Sequence, residues 1–388
     1  MASRVSASDV FERDTPLFVE SESGRLPKYP NARWARWTLR LLIAAFYSGL
    51  AIWWNIASGG DWSGTANAAL ADRVDAIDWS TPGVGVIGQL YPPITSLVAA
   101  VIPGNAFGLA IAGAVGAALT VQLVLQSLQR KLFPVGVRTI FIVTLATTPL
   151  YTYVVLTNFE ATVGLMFFGL AMVDLVRFVT WANTQAGFRA GLLFACAAFS
   201  DSTTVFSALV AAVGGGLLIQ SRAGARVANA VVVAFPTVTL FVSLAVLGLA
   251  FGAGPLAMVR GDLEWSPERA EGFAQSLLTP LGWLYLAPLV LMIIACFGLG
   301  YPGTALIAVL LQASTVLAFI LGLTPPGVAG VTYVLLLLLA IAIVPTPTHG
   351  TQSLLTGGVS VLLWIIGWFT AFQWPVVTTW MNTFGGSS

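Results

Sequence analysis

The sequence predicts an all-α protein that crosses a membrane many times, and three observations carry that expectation. Of its 388 residues, 57% are hydrophobic and only 9% are charged, with a mean hydropathy of +0.88. An ordinary soluble domain carries roughly 25% charged residues. Uninterrupted apolar runs of bilayer-spanning length, about 17 to 25 residues, recur along the chain. The 17 basic and 16 acidic side chains gather in short segments between those runs, so lipid is the solvent for most of the surface.

Taken in order, residues 1–36 are polar and of mixed charge (Glu12, Arg13, Asp14, Glu20, Glu22, Arg25, Lys28) and read as a disordered cytoplasmic tail rather than a signal peptide. Spans follow at 37–57, 105–127, 138–156, 161–178, 228–250, 279–299, 303–322, 327–345 and 353–372. Between Arg189 and Arg222 a 32-residue apolar stretch is interrupted by Ser200-Asp201-Ser202 and reads as two short, tilted helices meeting at that polar point. About eleven membrane segments result, in one domain over 37–372. Residues 373–388 read as an outer tail, which Trp374 and Trp380 rest on the membrane interface or set against a partner.

Charge distribution orients the chain. Fourteen of the 17 basic residues precede or open the first span or fall in alternate loops, at Arg130-Lys131, Arg138, Arg177, Arg189, Arg222 and Arg226. By the positive-inside rule that face is cytoplasmic. The other three, Arg73, Arg260 and Arg269, lie in two long loops at 58–104 and 251–278, which also hold eight of the 16 acids. The expected setting is a bacterial cytoplasmic membrane, with the N-terminus inside and, after eleven segments, the C-terminus outside.

The outer loops are amphipathic. Over 61–79 the apolar Leu70, Val74 and Ile77 recur at helical spacing while Asp72, Asp75 and Asp78 take the other face, so a helix lying in the interface is expected. No matched halves of transporter type stand out. P-loop and zinc signatures are absent, and a net charge of +1 gives nucleic acid no purchase. Cys196 and Cys296 sit 100 residues apart inside apolar runs and read as core residues. The single histidine, His349, excludes a histidine-rich metal centre.

Ionisable residues at membrane depth are costly and therefore functional candidates. Asp61 follows the first span, Glu160 sits in the short outer turn Thr157-Asn158-Phe159-Glu160, and Asp201 sits at the outer break of the short-helix pair. Each also has a purely structural reading: Asp61 and Glu160 as helix caps or dipole partners, Asp201 as a turn residue. Asp174, three residues before Arg177, reads as one half of a local ion pair. Tyr91-Pro92-Pro93-Ile94 fixes an extended entry into the helix that follows.

This pattern resembles the GT-C superfamily of membrane glycosyltransferases, in the branch of protein O-mannosyltransferase-like and lipid A aminoarabinose transferase-like enzymes. Those proteins have a cytoplasmic tail, one span, an outer loop opening on an acidic pair, a helix, and a Tyr/His/Lys-Pro-Pro-Leu motif before a second span that ends in basic residues and Leu-Phe. Here Asp61-Trp62, Tyr91-Pro92-Pro93-Ile94 and Gln129-Arg130-Lys131-Leu132-Phe133 stand in that order. Asn158-Phe159-Glu160 is similar to the family's Asn-Pro-Asp turn, and Arg189-Ala190-Gly191-Leu192-Leu193 to its short-helix segment. The likeness covers residues 37–220, and only hydropathy continues it. Trp62 stands at the second acid, Asp201 where relatives have lysine, and Thr332-Tyr333 where Arg-Tyr begins a late span.

The resemblance implies an inverting transfer on the outer face from a polyprenyl-phosphate sugar, within cell-envelope glycan assembly. Asp61 is then the base, with Glu160 positioning the acceptor or joining Asp61 at a divalent cation (Mg, Mn or Ca). Arg73, Arg260 and Arg269 are candidates for the donor phosphate and Tyr91 for the sugar pocket. Membrane lipids and a membrane-protein partner are the other expected contacts. Two alternatives stay open: a non-catalytic GT-C-like subunit or lipid-binding partner of an envelope complex, and a lipid flippase or transporter.

Overall fold

The computed structural model describes residues 28–80, 85–130, 133–181, 183–218, 226–251, 254–255, 264–300, 302–324, 328–343 and 350–384; Arg260 and His349 lie outside them. Among the described residues every regular element is a helix. α1 (Arg33–Ala57) is followed by three short helices of the first long loop, α2 (Ala66–Asp75), α3 (Gly85–Gln89) and α4 (Pro93–Ala99). Then come α5 (Asn105–Arg130), α6 (Val135–Thr147), α7 (Pro149–Thr157), α8 (Phe159–Trp181), α9 (Thr184–Ala198) and α10 (Thr204–Leu218). α11 (Arg226–Ala250), α12 (Pro267–Ser276), α13 (Pro280–Gly298), α14 (Pro302–Ile320), α15 (Val328–Ile343), α16 (Gly350–Gln373) and α17 (Pro375–Phe384) complete the chain.

Seven of these are long and apolar enough to cross a bilayer, and the α6–α7 pair makes an eighth as a bent span. The chain is a multi-pass membrane protein. α9, α10 and α15 are 15, 15 and 16 residues long. At 1.5 Å per residue they reach only about 22–24 Å against a hydrocarbon thickness of about 30 Å. The break between α9 and α10 falls at residues 199–203, as the polar Ser200-Asp201-Ser202 leads one to expect.

The expected span 138–156 is not one straight helix. Thr148 is extended (φ −71°, ψ 122°) and Pro149 opens α7, bending the pair by 49°. Proline has no N–H to continue the ladder and pushes the residue before it out of helical space. The C-terminal segment also differs from a bare tail. α17 folds back so that Trp380 packs edge-on against Tyr153 and Phe384 against Trp53, with ring centroids 5.6 and 5.1 Å apart.

α8 sits at the centre and packs against α5, α9, α10 and α15. Its middle is apolar all round, and Leu165, Phe168, Ala171 and Met172 are fully buried. α1 is peripheral: Tyr47, Ala51 and Trp54 face the bundle while Leu41, Leu42 and Phe46 stay exposed as a lipid-facing stripe. Small residues let backbones approach. A Cβ on Gly113 of α5 would lie 2.4 Å from the Val155 carbonyl oxygen of α7. Gly113→Ala is therefore expected to force α5 and α7 apart at about 1–3 kcal/mol. A lower midpoint of thermal unfolding in detergent would show it, and an unchanged midpoint would deny the close approach.

Candidate functional site on the first long loop

The first long loop is built onto the helix ends rather than draped over them. Thr65 caps α2, its Oγ1 accepting from the Ala68 amide at 3.2 Å. Leu70 and Val74 bury the apolar face of α2 against Leu109 and Phe159. Between them, the fully buried Asn67 donates from Nδ2 to the Leu156 carbonyl (2.8 Å) while its Oδ1 accepts from the Phe159 amide (2.7 Å). One side chain thus satisfies two backbone groups at the α7–α8 turn.

One turn and a half further along α2, Arg73 Nη2 lies 2.5 Å from Glu160 Oε1 and donates to Ser96 Oγ at 3.1 Å. Glu160 is not the cap of α8. Asn158 takes that role, its Oδ1 accepting from the Ala161 amide at 2.9 Å. Glu160 instead turns to Arg73, both only partly exposed. A double-mutant cycle with Arg73→Gln and Glu160→Gln should give a coupling of about 1–2 kcal/mol in thermal unfolding, whereas additive single losses would show that the pair contributes nothing.

The double-proline segment ties the loop to the α9–α10 break. The Tyr91 hydroxyl donates to the Ala198 carbonyl (3.1 Å), the Ile94 amide to Phe199 (3.0 Å) and Thr95 Oγ1 to Ser200 (2.8 Å). These are the carbonyls that the end of α9 leaves without helical partners. Tyr91 is 2% exposed and stacks edge-on with Phe199, so it braces the loop against the end of α9.

Asp201 is buried, with Oδ1 accepting from the Thr203 amide at 3.0 Å. Its Cβ lies against Gly164, one turn after Glu160 on α8. Next to it, Ser202 donates to the Leu323 carbonyl, and the adjoining Gly322 sits under the exposed Arg269 guanidinium of α12. Arg73, Glu160, Asp201 and Arg269 therefore share one end of the bundle.

Asp61 stands apart from that network. Gly59 (φ 64°) and Gly60 (φ 82°) turn the chain off α1, and Asp61 is exposed with Oδ1 accepting from the Ser63 amide at 2.8 Å. Hydrogen bonds from the Ser63 hydroxyl and amide hold its carboxyl below the ordinary range. Trp62, where an acid was the pattern, is buried against Trp54 and donates to Asn55 Oδ1 at 2.7 Å. Asp61 and Glu160 do not fit a shared divalent cation. Glu160 is engaged by Arg73, and no three ligating side chains converge among the described residues.

Between α2, α4 and the start of α5 lies a cavity of about 330 Å³, with Val74, Asp75, Trp79, Ile102 and Asn105 in its wall. Asn67, Ser96 and this cavity were not legible as site features, because isolated neutral polar residues in short helices carry no signal in sequence. Compared with family models, curated proteins and solved structures, the chain has no significant match.

Proposed function

We propose that this chain is an outer-face membrane glycosyltransferase of the GT-C type that takes its sugar from a polyprenyl-phosphate donor. The observation that carries the reading is the folded first outer loop, locked onto the α7–α8 turn and the α9–α10 break, with the exposed carboxylate of Asp61 at the exit of the first span. Eleven crossings follow if α6–α7 count once and α9, α10 and α15 cross as short helices. The C-terminal α17 then lies on the Asp61 face, in keeping with its contact to Trp53 near the end of α1.

In this reaction Asp61 takes the proton of the acceptor hydroxyl, the freed oxygen attacks the anomeric carbon from the side opposite the phosphate, and the carbon–oxygen bond to polyprenyl phosphate breaks. In this reading Arg269, exposed on α12, would supply the guanidinium that meets the leaving phosphate. Arg73 holds Glu160 and orders α2. The 330 Å³ cavity, with a carboxylate, an indole and an amide in its wall, has the size and chemistry of a sugar subsite.

The test is transfer of labelled sugar from a panel of polyprenyl-phosphate donors by the purified protein in nanodiscs. Turnover with one donor is expected. Because Ser63 favours the ionised carboxylate, the base is lost only as pH falls through a lowered pKa. The acid limb of the rate profile is therefore expected below the ordinary aspartate range. Donor binding without turnover across the panel would favour the second reading, a non-catalytic lipid-binding subunit of an envelope complex. That reading draws on the mutual neutralisation of Arg73 and Glu160 and on Trp62 serving as a core residue.

A further inference from the structure

Where α13, α14 and α15 meet, three hydroxyls form a triangle. Tyr285 Oη of α13 lies 3.3 Å from Thr315 Oγ1 of α14 and 3.4 Å from Thr332 Oγ1 of α15, and the Thr332 hydroxyl donates to Thr315 Oγ1 at 3.2 Å. The Thr315 hydroxyl donates in turn to the Gln312 carbonyl one turn earlier, at 2.9 Å. A hydroxyl has one proton to give, so with those of Thr332 and Thr315 committed, Tyr285 is the donor of its own contacts. Its oxygen receives no proton from the triangle and is left able to accept one from elsewhere.

Against this triangle lies a cavity of about 10 Å³, with Tyr285, Thr332 and Thr370 of α16 in its polar wall and Leu150 and Pro288 in its apolar wall. Thr370 is 3% exposed, and its Oγ1 has no hydrogen-bond partner among the described residues. The neighbouring Tyr333 hydroxyl donates to the Leu363 carbonyl at 3.2 Å. An unpaired hydroxyl in a protein interior is unfavourable, and between membrane spans no bulk water reaches it. Room for one water begins at about 10–15 Å³, provided that at least two polar groups hold the molecule. Thr370, a donor without an acceptor, and Tyr285 Oη, an acceptor without a donor, stand in the wall of one space of that size.

We propose that this cavity binds a single water molecule, which accepts from the Thr370 hydroxyl and donates to Tyr285 Oη, and so fastens α16 to the hydroxyl triangle of α13, α14 and α15. Polar side chains act as glue between spans, where lipid tails are as apolar as the helix faces they cover. Here the bound water completes the bridge. The site is separate from the reaction assigned to Asp61.

Thermal unfolding of the full chain in detergent, run as a double-mutant cycle of Thr370→Val and Tyr285→Phe, tests it. Valine keeps the shape of threonine without its hydroxyl, so in a dry cavity Thr370→Val would remove an unpaired polar group and hold or raise the unfolding midpoint. With the water bound, Thr370→Val should lower the midpoint, and only while Tyr285 keeps its hydroxyl. In the Tyr285→Phe background the same change should have no further effect. A midpoint left unchanged or raised by Thr370→Val, or lowered equally in both backgrounds, would overturn the proposal. Should Tyr285→Phe fail to fold, a structure of the wild-type protein at a resolution that shows ordered water decides. Density within hydrogen-bond reach of both Thr370 Oγ1 and Tyr285 Oη is expected, and a cavity free of density would contradict the site.

Discussion

Asn67→Ala is expected to destabilise the protein by about 2–6 kcal/mol, because it strips partners from two buried backbone groups at once. The Phe159 amide and the Leu156 carbonyl sit at the α7–α8 turn, where neither can turn to a helical neighbour, and Asn67 is fully buried above them. Water cannot replace the amide without opening the contact of Leu70 and Val74 with Leu109 and Phe159. The loss should also loosen α2, and with it the seat of Arg73 over Glu160. Thermal unfolding in detergent reads this directly, with Ala69→Ser, an exposed change on the same helix, expected to fall within about 0.5 kcal/mol of wild type. Equal midpoints for Asn67→Ala and Ala69→Ser would mean that the loop is not anchored through Asn67.

Hydrophobic length and charge segregation made the all-helical, multi-pass character plain from residue order alone. Finer geometry was less legible. The run 138–156 is uniformly apolar, and only Pro149, whose ring ejects Thr148 from the helix, signals the 49° bend. α17 looked like a tail because ten residues are too few to span, yet Trp380 and Val377 face inward and hold it against α7 and α1.

For the site, the rarity of charge in an apolar chain picked out Asp61, Glu160, Asp201 and Arg73. Their partnerships were not visible. Arg73 and Glu160 are 87 residues apart and meet only because α2 lies across the start of α8. The alternative reading of Asp61 and Glu160 as helix caps does not hold, since Thr65 and Asn158 cap those helices, although Glu160 does sit in the first turn of α8. Asp174 was legible with Arg177, as neighbours on one helix turn must be, but its tie to Arg189 depends on how α9 packs.

On the reaction we propose, Asp61→Asn is expected to have the largest effect on activity, because a carboxamide could not take the acceptor's proton. General-base removal of this kind costs about 10²–10⁴-fold in rate. The fold should not notice. Asp61 is exposed, and the oxygen of asparagine can accept from the Ser63 amide as the carboxylate does at 2.8 Å. Glu160→Gln provides the contrast, since breaking its pair with Arg73 should lower the unfolding midpoint and leave part of the turnover. The decisive measurement is therefore single-donor sugar transfer by wild type, Asp61→Asn and Glu160→Gln in the same nanodiscs, with unfolding midpoints taken alongside. The account predicts transfer lost in Asp61→Asn at an unchanged midpoint; an Asp61→Asn protein that transfers sugar at the wild-type rate would contradict it.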